Sequence, residues 1–226
     1  MKKFGLLLLA ATAALVFSSC NEEKGDYPAY ANFVTVKSLD KDYFLQLDNN
    51  KTVYPSDKTR LGVYDAKEGQ RAIVYFNLLP QKVEGYDYNA ALYLIQNIYT
   101  GTSRIIDQQT ELDKASDDKI DLISRPQLNE NYLMLAVGYP VHDNTKHSFE
   151  LIQNKVTEPG TKFEGYLNVE LRHNAGGETQ GSEGQYWTSY NLDALKEAMK
   201  GMTGLTVRVN TQRNDVQYYK IDLPKK

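Results

Sequence analysis

The chain has 226 residues, with 26 Lys and Arg against 29 Asp and Glu, a formal charge of −3 and a single cysteine, Cys20. No basic run is longer than Lys225-Lys226, which argues against a nucleic-acid partner, because phosphates are held by cations clustered on one face. A lone cysteine excludes intrachain disulfides, zinc-thiolate centres and iron–sulfur clusters.

Lys2 and Lys3 open a basic segment, and the apolar run of residues 4–17 that follows falls short of the roughly 20 residues a membrane-spanning helix needs. Val16-Phe17-Ser18-Ser19-Cys20 resembles a bacterial lipobox. That implies a signal peptide over 1–19, cleavage before Cys20, and acylation there with diacylglycerol and palmitate chains; the alternative is an ordinary secretory leader with a chance cysteine. Each buried CH₂ contributes about 0.8 kcal/mol, so several chains anchor stably where one does not. Without Lys2 and Lys3 the charge moves from −3 to −5. Asn21-Glu22-Glu23-Lys24 resembles the acidic signal that sends some Bacteroidetes-type lipoproteins to the outer face of the outer membrane, and reads otherwise as a solvated tether. The expected location is the outer membrane, through a lipid anchor, with residues 20–30 as tether.

Beyond the tether the dominant signal is short alternating runs rich in β-branched and aromatic residues, the mark of strands. Strands are predicted over 33–36, 43–47, 51–54 (ended by Pro55), 71–79 (ended by Pro80) and 88–99, the last bent and finishing at Gly101. Five strands in so short a span suit a small closed barrel, most simply an OB-like one, over residues 31–102. The acidic stretch 111–119 has no aromatic residue and places a junction over 103–119. Strands are expected again at 120–124, 132–138, 147–152, 166–173, 205–210 and 218–223, a spacing that suggests a β-sandwich over 120–226. One helix interrupts it, with Asn191 as N-cap, Leu192, Leu195 and Met199 on one face, and Gly201 as C-cap. The fold class is therefore all-β, an OB-like barrel followed by a sandwich with one short helix.

Certain segments are similar to a known family. Residues 68–74, Glu68-Gly69-Gln70-Arg71-Ala72-Ile73-Val74, and Gly85-Tyr86-Asp87-Tyr88 resemble the OB-like domain of NigD-like lipoproteins. Asn131-Tyr132-Leu133-Met134-Leu135, His147-Ser148-Phe149-Glu150-Leu151-Ile152 and Leu171-Arg172-His173-Asn174-Ala175 resemble that family's sandwich domain. The resemblance implies two β domains on a lipid anchor and an association with bacteriocin gene clusters; it implies no reaction. Where the family tends to carry Asp after the last segment, this chain has Gly176-Gly177-Glu178.

Motifs for catalysis and cofactors are missing. There is no G-x-S-x-G elbow and no phosphate-binding loop, the run 176–184 reading as a long hairpin loop. Asp113, Asp117, Asp118 and Asp121 lack the spacing of a calcium loop. His142 reads as a solvated turn residue, and His147 and His173 as hydrogen-bonded structural residues at strand ends, with no metal-ligand spacing. No cofactor, metal or catalytic residue is expected. The 17 tyrosines suit both half-buried strands and recognition surfaces. Tyr86 and Tyr88 flank the loop between the fourth and fifth strands, where OB-folds hold ligands, and Tyr186 and Trp187 follow the glycine-bearing loop; these four are the candidate binding residues. The functional expectation is a non-enzymatic envelope lipoprotein that meets an envelope component, a peptide, a toxin or a glycan. The alternative is a glycan-binding or weakly hydrolytic accessory protein.

Overall fold

A computed structural model describes residues 27–40, 42–142, 146–157, 163–178, 180–213 and 215–224. The signal peptide, Cys20 and the start of the tether lie outside the described residues. The tether's end is tied down, since the Ala29 N–H donates to Asn77 Oδ1 at 2.6 Å.

The alternating segments of the first half form β1 (Tyr30–Ser38), β2 (Tyr43–Leu47), β3 (Thr52–Asp57), β4 (Arg71–Leu78) and β5 (Tyr88–Asn97). They close into a barrel in the order β1-β2-β3-β5-β4, with β4 pairing back onto β1 and only β3 and β5 parallel. This is the Greek-key order of an OB barrel. Val34, Val36, Leu45, Val53, Ala72, Val74 and Leu92 fill its core. Pro55 does not end β3 as expected; it sits where the β3–β5 register shifts, a place where a missing N–H leaves no ladder bond unmade.

The second half contributes β6 (Tyr99–Ile106), the four-residue α1 (Gln109–Leu112), β7 (Asp121–Leu122), β8 (Gln127–Leu128), β9 (Tyr132–Val141), β10 (Ser148–Asn154), β11 (Tyr166–Asn174), β12 (Ser182–Asn191), β13 (Gly204–Asn210) and β14 (Val216–Asp222). The strand order is β14-β13-β11-β10-β6-β12-β9-β7, with β8 also on β9. β6 is the spine of the sandwich. Its first half pairs with β12 and its second half with β10, so it passes from one leaf to the other. The leaves enclose Leu133, Leu135, Val137, Leu151, Val169, Leu171, Tyr190, Leu205 and Val207.

Three expectations change. β6 belongs to the sandwich, so the barrel ends at Asn97, short of 102, and 103–106 is strand instead of linker. The rest of the junction is docked: the Asp118 N–H donates to His173 O at 2.9 Å, the Ile120 N–H to Asn210 O at 2.9 Å, and Arg208 grips Asp117 at 2.7 and 2.9 Å. The last part of the expected hairpin loop and the residues after it form the long strand β12. The expected helix is a single 3₁₀ turn, Asp193–Leu195, continued by turns to Gly201. The N-cap is Leu192 and not Asn191, which ends β12 and whose Oδ1 accepts the Asp193 N–H at 2.7 Å; Gly201 turns the chain with φ 77°.

The domains dock through the outer faces of β1 and β4 against those of β9 and β12. Phe33 meets the Trp187 ring edge-on at 4.9 Å. Arg71, wholly buried, grips Asp48 at 2.7 and 3.0 Å, donates to Thr35 Oγ1 at 3.0 Å, and lies 4.6 Å from the centre of the Tyr132 ring across the interface. This covering explains why Thr35, Met134 and Ala136 are buried although they project away from both cores.

Candidate functional site

β2, β3 and the loop before β5 place three aromatic rings together on the barrel surface. Tyr86 lies 5.4 Å from Phe44 and 5.0 Å from Tyr54 between ring centres, and each ring is half-buried. Alternation puts Phe44 and Tyr54 on the outside, because Tyr43, Leu45, Val53 and Pro55 turn inward. Gly85, at φ 85°, makes the turn that presents Tyr86. Asp87 then fastens the loop to β3: it accepts Lys51 Nζ at 2.7 Å, the Thr52 N–H at 2.9 Å and the Thr52 hydroxyl at 3.1 Å. The Lys51 ammonium and the Thr52 N–H hold its carboxyl down to about 2.

Beside the rings, the Tyr54 hydroxyl donates to Asp42 Oδ2 at 2.7 Å, and Lys58 donates to Oδ1 of the same carboxylate. Burial pushes the Asp42 pKa up, but the hydrogen bonds from Lys58, Tyr54 and the Tyr43 N–H outweigh it and leave it lowered. The face is thus a rigid aromatic platform with one neutralised ion pair at its side. Of the sequence candidates it holds Tyr86. Tyr88 starts β5 with 38% of its surface exposed and is in no ring contact with the three. Phe44 and Tyr54 went unread because only barrel closure brings them to Tyr86.

Tyr186 and Trp187 do not form one patch. As neighbours in β12 they point to opposite faces, Trp187 into the domain interface and Tyr186 onto Tyr139, where it stacks at 5.0 Å. Tyr139 in turn packs on His147 at 4.4 Å and on His173 at 5.1 Å, and Phe149 stacks on His173 at 5.2 Å. The two imidazoles and Glu178 form a hydrogen-bonded row: Lys119 O to His173 Nδ1 at 3.1 Å, His173 Nε2 to His147 Nδ1 at 2.8 Å, and His147 Nε2 to Glu178 Oε2 at 2.8 Å.

A carbonyl oxygen only accepts, so His173 Nδ1 carries a proton. With His173 neutral, its Nε2 accepts from His147 Nδ1–H, and the last link then needs a proton between His147 Nε2 and Glu178. Every ring nitrogen is occupied, which leaves none to serve a substrate. His142 is exposed at the end of β9. Among the described residues no three His, Cys, Asp or Glu side chains converge as metal ligands.

An OB barrel docked on a β-sandwich defines a two-domain all-β protein. The model of the NigD-like N-terminal OB domain matches residues 33–98, and that of the NigD-like C-terminal beta sandwich domain matches residues 104–223. The chain belongs to the NigD-like family.

Solved structures share the fold. A Bacteroides vulgatus protein of unknown function, DUF1344, is 21% identical with a TM-score of 0.73, covering 87% of this chain and 91% of its own. A NigD-like immunity protein from Bacteroides caccae is 22% identical with a TM-score of 0.60, covering 85% and 92%. A candidate lipoprotein from Bacteroides fragilis is 14% identical with a TM-score of 0.62, covering 85% and 97%. No curated protein matches the chain in sequence.

Proposed function

We propose that the chain is a non-enzymatic lipoprotein of the cell envelope, anchored in the outer membrane through Cys20 and facing outward, and that it captures a peptide or protein partner on the Phe44–Tyr54–Tyr86 face. The observation that carries this reading is the way that face is built. Three rings from three separate elements are fixed by buried neighbours and by the Asp87 and Asp42 bonds, so little side-chain freedom is lost when a partner covers them. Aromatic rings held in this way are the usual anchors of an interface. The Bacteroides caccae structure of the same fold is described as an immunity protein, which favours a bacteriocin-like peptide as the partner.

The test uses the full chain, purified from membranes, against a panel of purified bacteriocin-type peptides. Tyr86→Ala is expected to weaken binding about tenfold or more, the scale of one lost anchor, and Tyr88→Ala to weaken it less. Unchanged affinity in Tyr86→Ala removes this face as the site. Metabolic labelling with palmitate, expected for the native chain and lost in Cys20→Ala, tests the anchor separately.

A further inference from the structure

Between the domains lies a cleft of about 290 Å³, bounded by β2 and the β2–β3 turn on one side and by the starts of β9 and the 3₁₀ turn on the other. It is close to the smallest cavities that hold small ligands, about 300 Å³. Its lining carries five carboxamides, Gln46 and Asn50 from the barrel and Asn129, Asn131 and Asn191 from the sandwich, beside an equal number of charged side chains.

Among the described residues, Gln46, Asn50 and Asn131 make no side-chain hydrogen bond. Asn129 engages only its oxygen, whereas Asn191 also turns its NH₂ toward the Asp193 carboxylate. Asn129 Oδ1 accepts the N–H groups of Asn131 at 2.9 Å and Tyr132 at 2.7 Å, and Asn191 Oδ1 accepts that of Asp193 at 2.7 Å. Those backbone donors fix which amide atom is oxygen and leave the NH₂ of Asn129 available for a ligand.

The charges around the cleft are already matched. Asp48 is held by Arg71, Lys37 lies 3.0 Å from Glu68, and Lys196 lies 2.6 Å from Asp193. Glu130, exposed, is the lining carboxylate without a cation among the described residues. The cleft therefore offers little to a strongly charged ligand. It offers paired donors and acceptors, since a carboxamide presents one of each side by side, the complement of adjacent hydroxyls on a sugar ring.

We propose that this cleft binds a neutral glycan, with one sugar residue seated between Gln46 of the barrel and Asn129 and Asn131 of the sandwich. The site shares no residue with the Phe44–Tyr54–Tyr86 face, so it goes beyond the partner-binding reading and stands or falls alone. Both domains contribute, and a bound sugar would also bridge them.

The experiment is a binding screen of the full chain, held in a detergent without a sugar headgroup, against an array of neutral and anionic oligosaccharides. Neutral oligosaccharides are expected to bind and anionic ones not to be preferred. Gln46→Ala and Asn131→Ala, which break no internal side-chain bond, are each expected to weaken that binding about tenfold, one or two lost hydrogen bonds, with unchanged thermal melting. Tyr86→Ala is expected to leave it alone. No neutral glycan bound on the array, a preference for anionic glycans, or binding that survives both cleft substitutions would each overturn the proposal.

Discussion

His173 sits where protonation has no room. Burial, joined by the repulsion of His147, pushes its pKa below the ordinary 6.5, although the Lys119 carbonyl and Asp118 pull the other way. A second proton on its Nε2 would face the Nδ1–H of His147 across 2.8 Å, and Tyr139 and Phe149 pack on the ring where water would otherwise solvate it. Because the folded value is depressed, the unfolded chain binds the proton first as pH falls. Stability from this residue is complete above about 6.5 and drains away below it. The urea midpoint should fall between about pH 7.5 and pH 5.5, a window in which carboxylates stay ionised. His173→Gln should cost about 1–3 kcal/mol at neutral pH and flatten that fall. A slope unaltered by the substitution would assign the pH dependence elsewhere.

At the scale of elements, strands marked by runs of apolar, β-branched and aromatic residues were legible, and a boundary shared between the two domains was not. Alternation located β1, β2, β4 and β10 to within a few residues, because burying one face imposes a period of two, and apolar runs located β9 and β11, buried along most of their length. Nothing in the residues around Ile98 breaks that pattern, yet there β5 of the barrel gives way to β6 of the sandwich. The break is made by tertiary bonds: the Ile98 N–H donates to Arg71 O at 3.0 Å, and Gln70 Nε2 donates to Ile98 O at 2.9 Å. β12 hid behind polar and glycine residues that need no apolar alternation when their neighbours supply it. Likewise the aromatic face and the amide cleft join residues far apart in the chain, so only the loop at Tyr86 could be seen beforehand.

One element boundary is fixed by a single atom's absence. A Cβ on Gly204, where β13 begins, would overlap the Ile221 carbonyl of β14 and stand 2.8 Å from the Tyr166 ring. Gly204→Ala should therefore separate the β13–β14 edge and lower stability by about 1–3 kcal/mol or more. Faster amide exchange in residues 216–222 is the expected signature, and unchanged exchange there would show that the edge yields without cost.

For the molecule as a whole, the question is whether the barrel and the sandwich unfold as one body. Their interface holds a charge, Arg71, that neither domain could keep buried alone: Asp48 and Thr35 hold its two terminal nitrogens from the barrel, while Tyr132 and Met134 seal it from the sandwich. Undocking would bring water to the guanidinium, to Phe33 and to Trp187 together. Trp187 is the chain's one tryptophan, so its fluorescence reports docking, whereas far-UV circular dichroism reports the strands of both domains. If docking and folding are coupled, the two signals follow one urea transition. Arg71→Met removes the buried cation but leaves Asp48 without its partner, a loss of about 3 kcal/mol, and it falls on the interface. In that variant the Trp187 emission should move to longer wavelength at lower urea than the strand signal is lost. Separated transitions in the native chain would instead mean that the domains part freely, and a cleft built from both of them would then exist only part of the time.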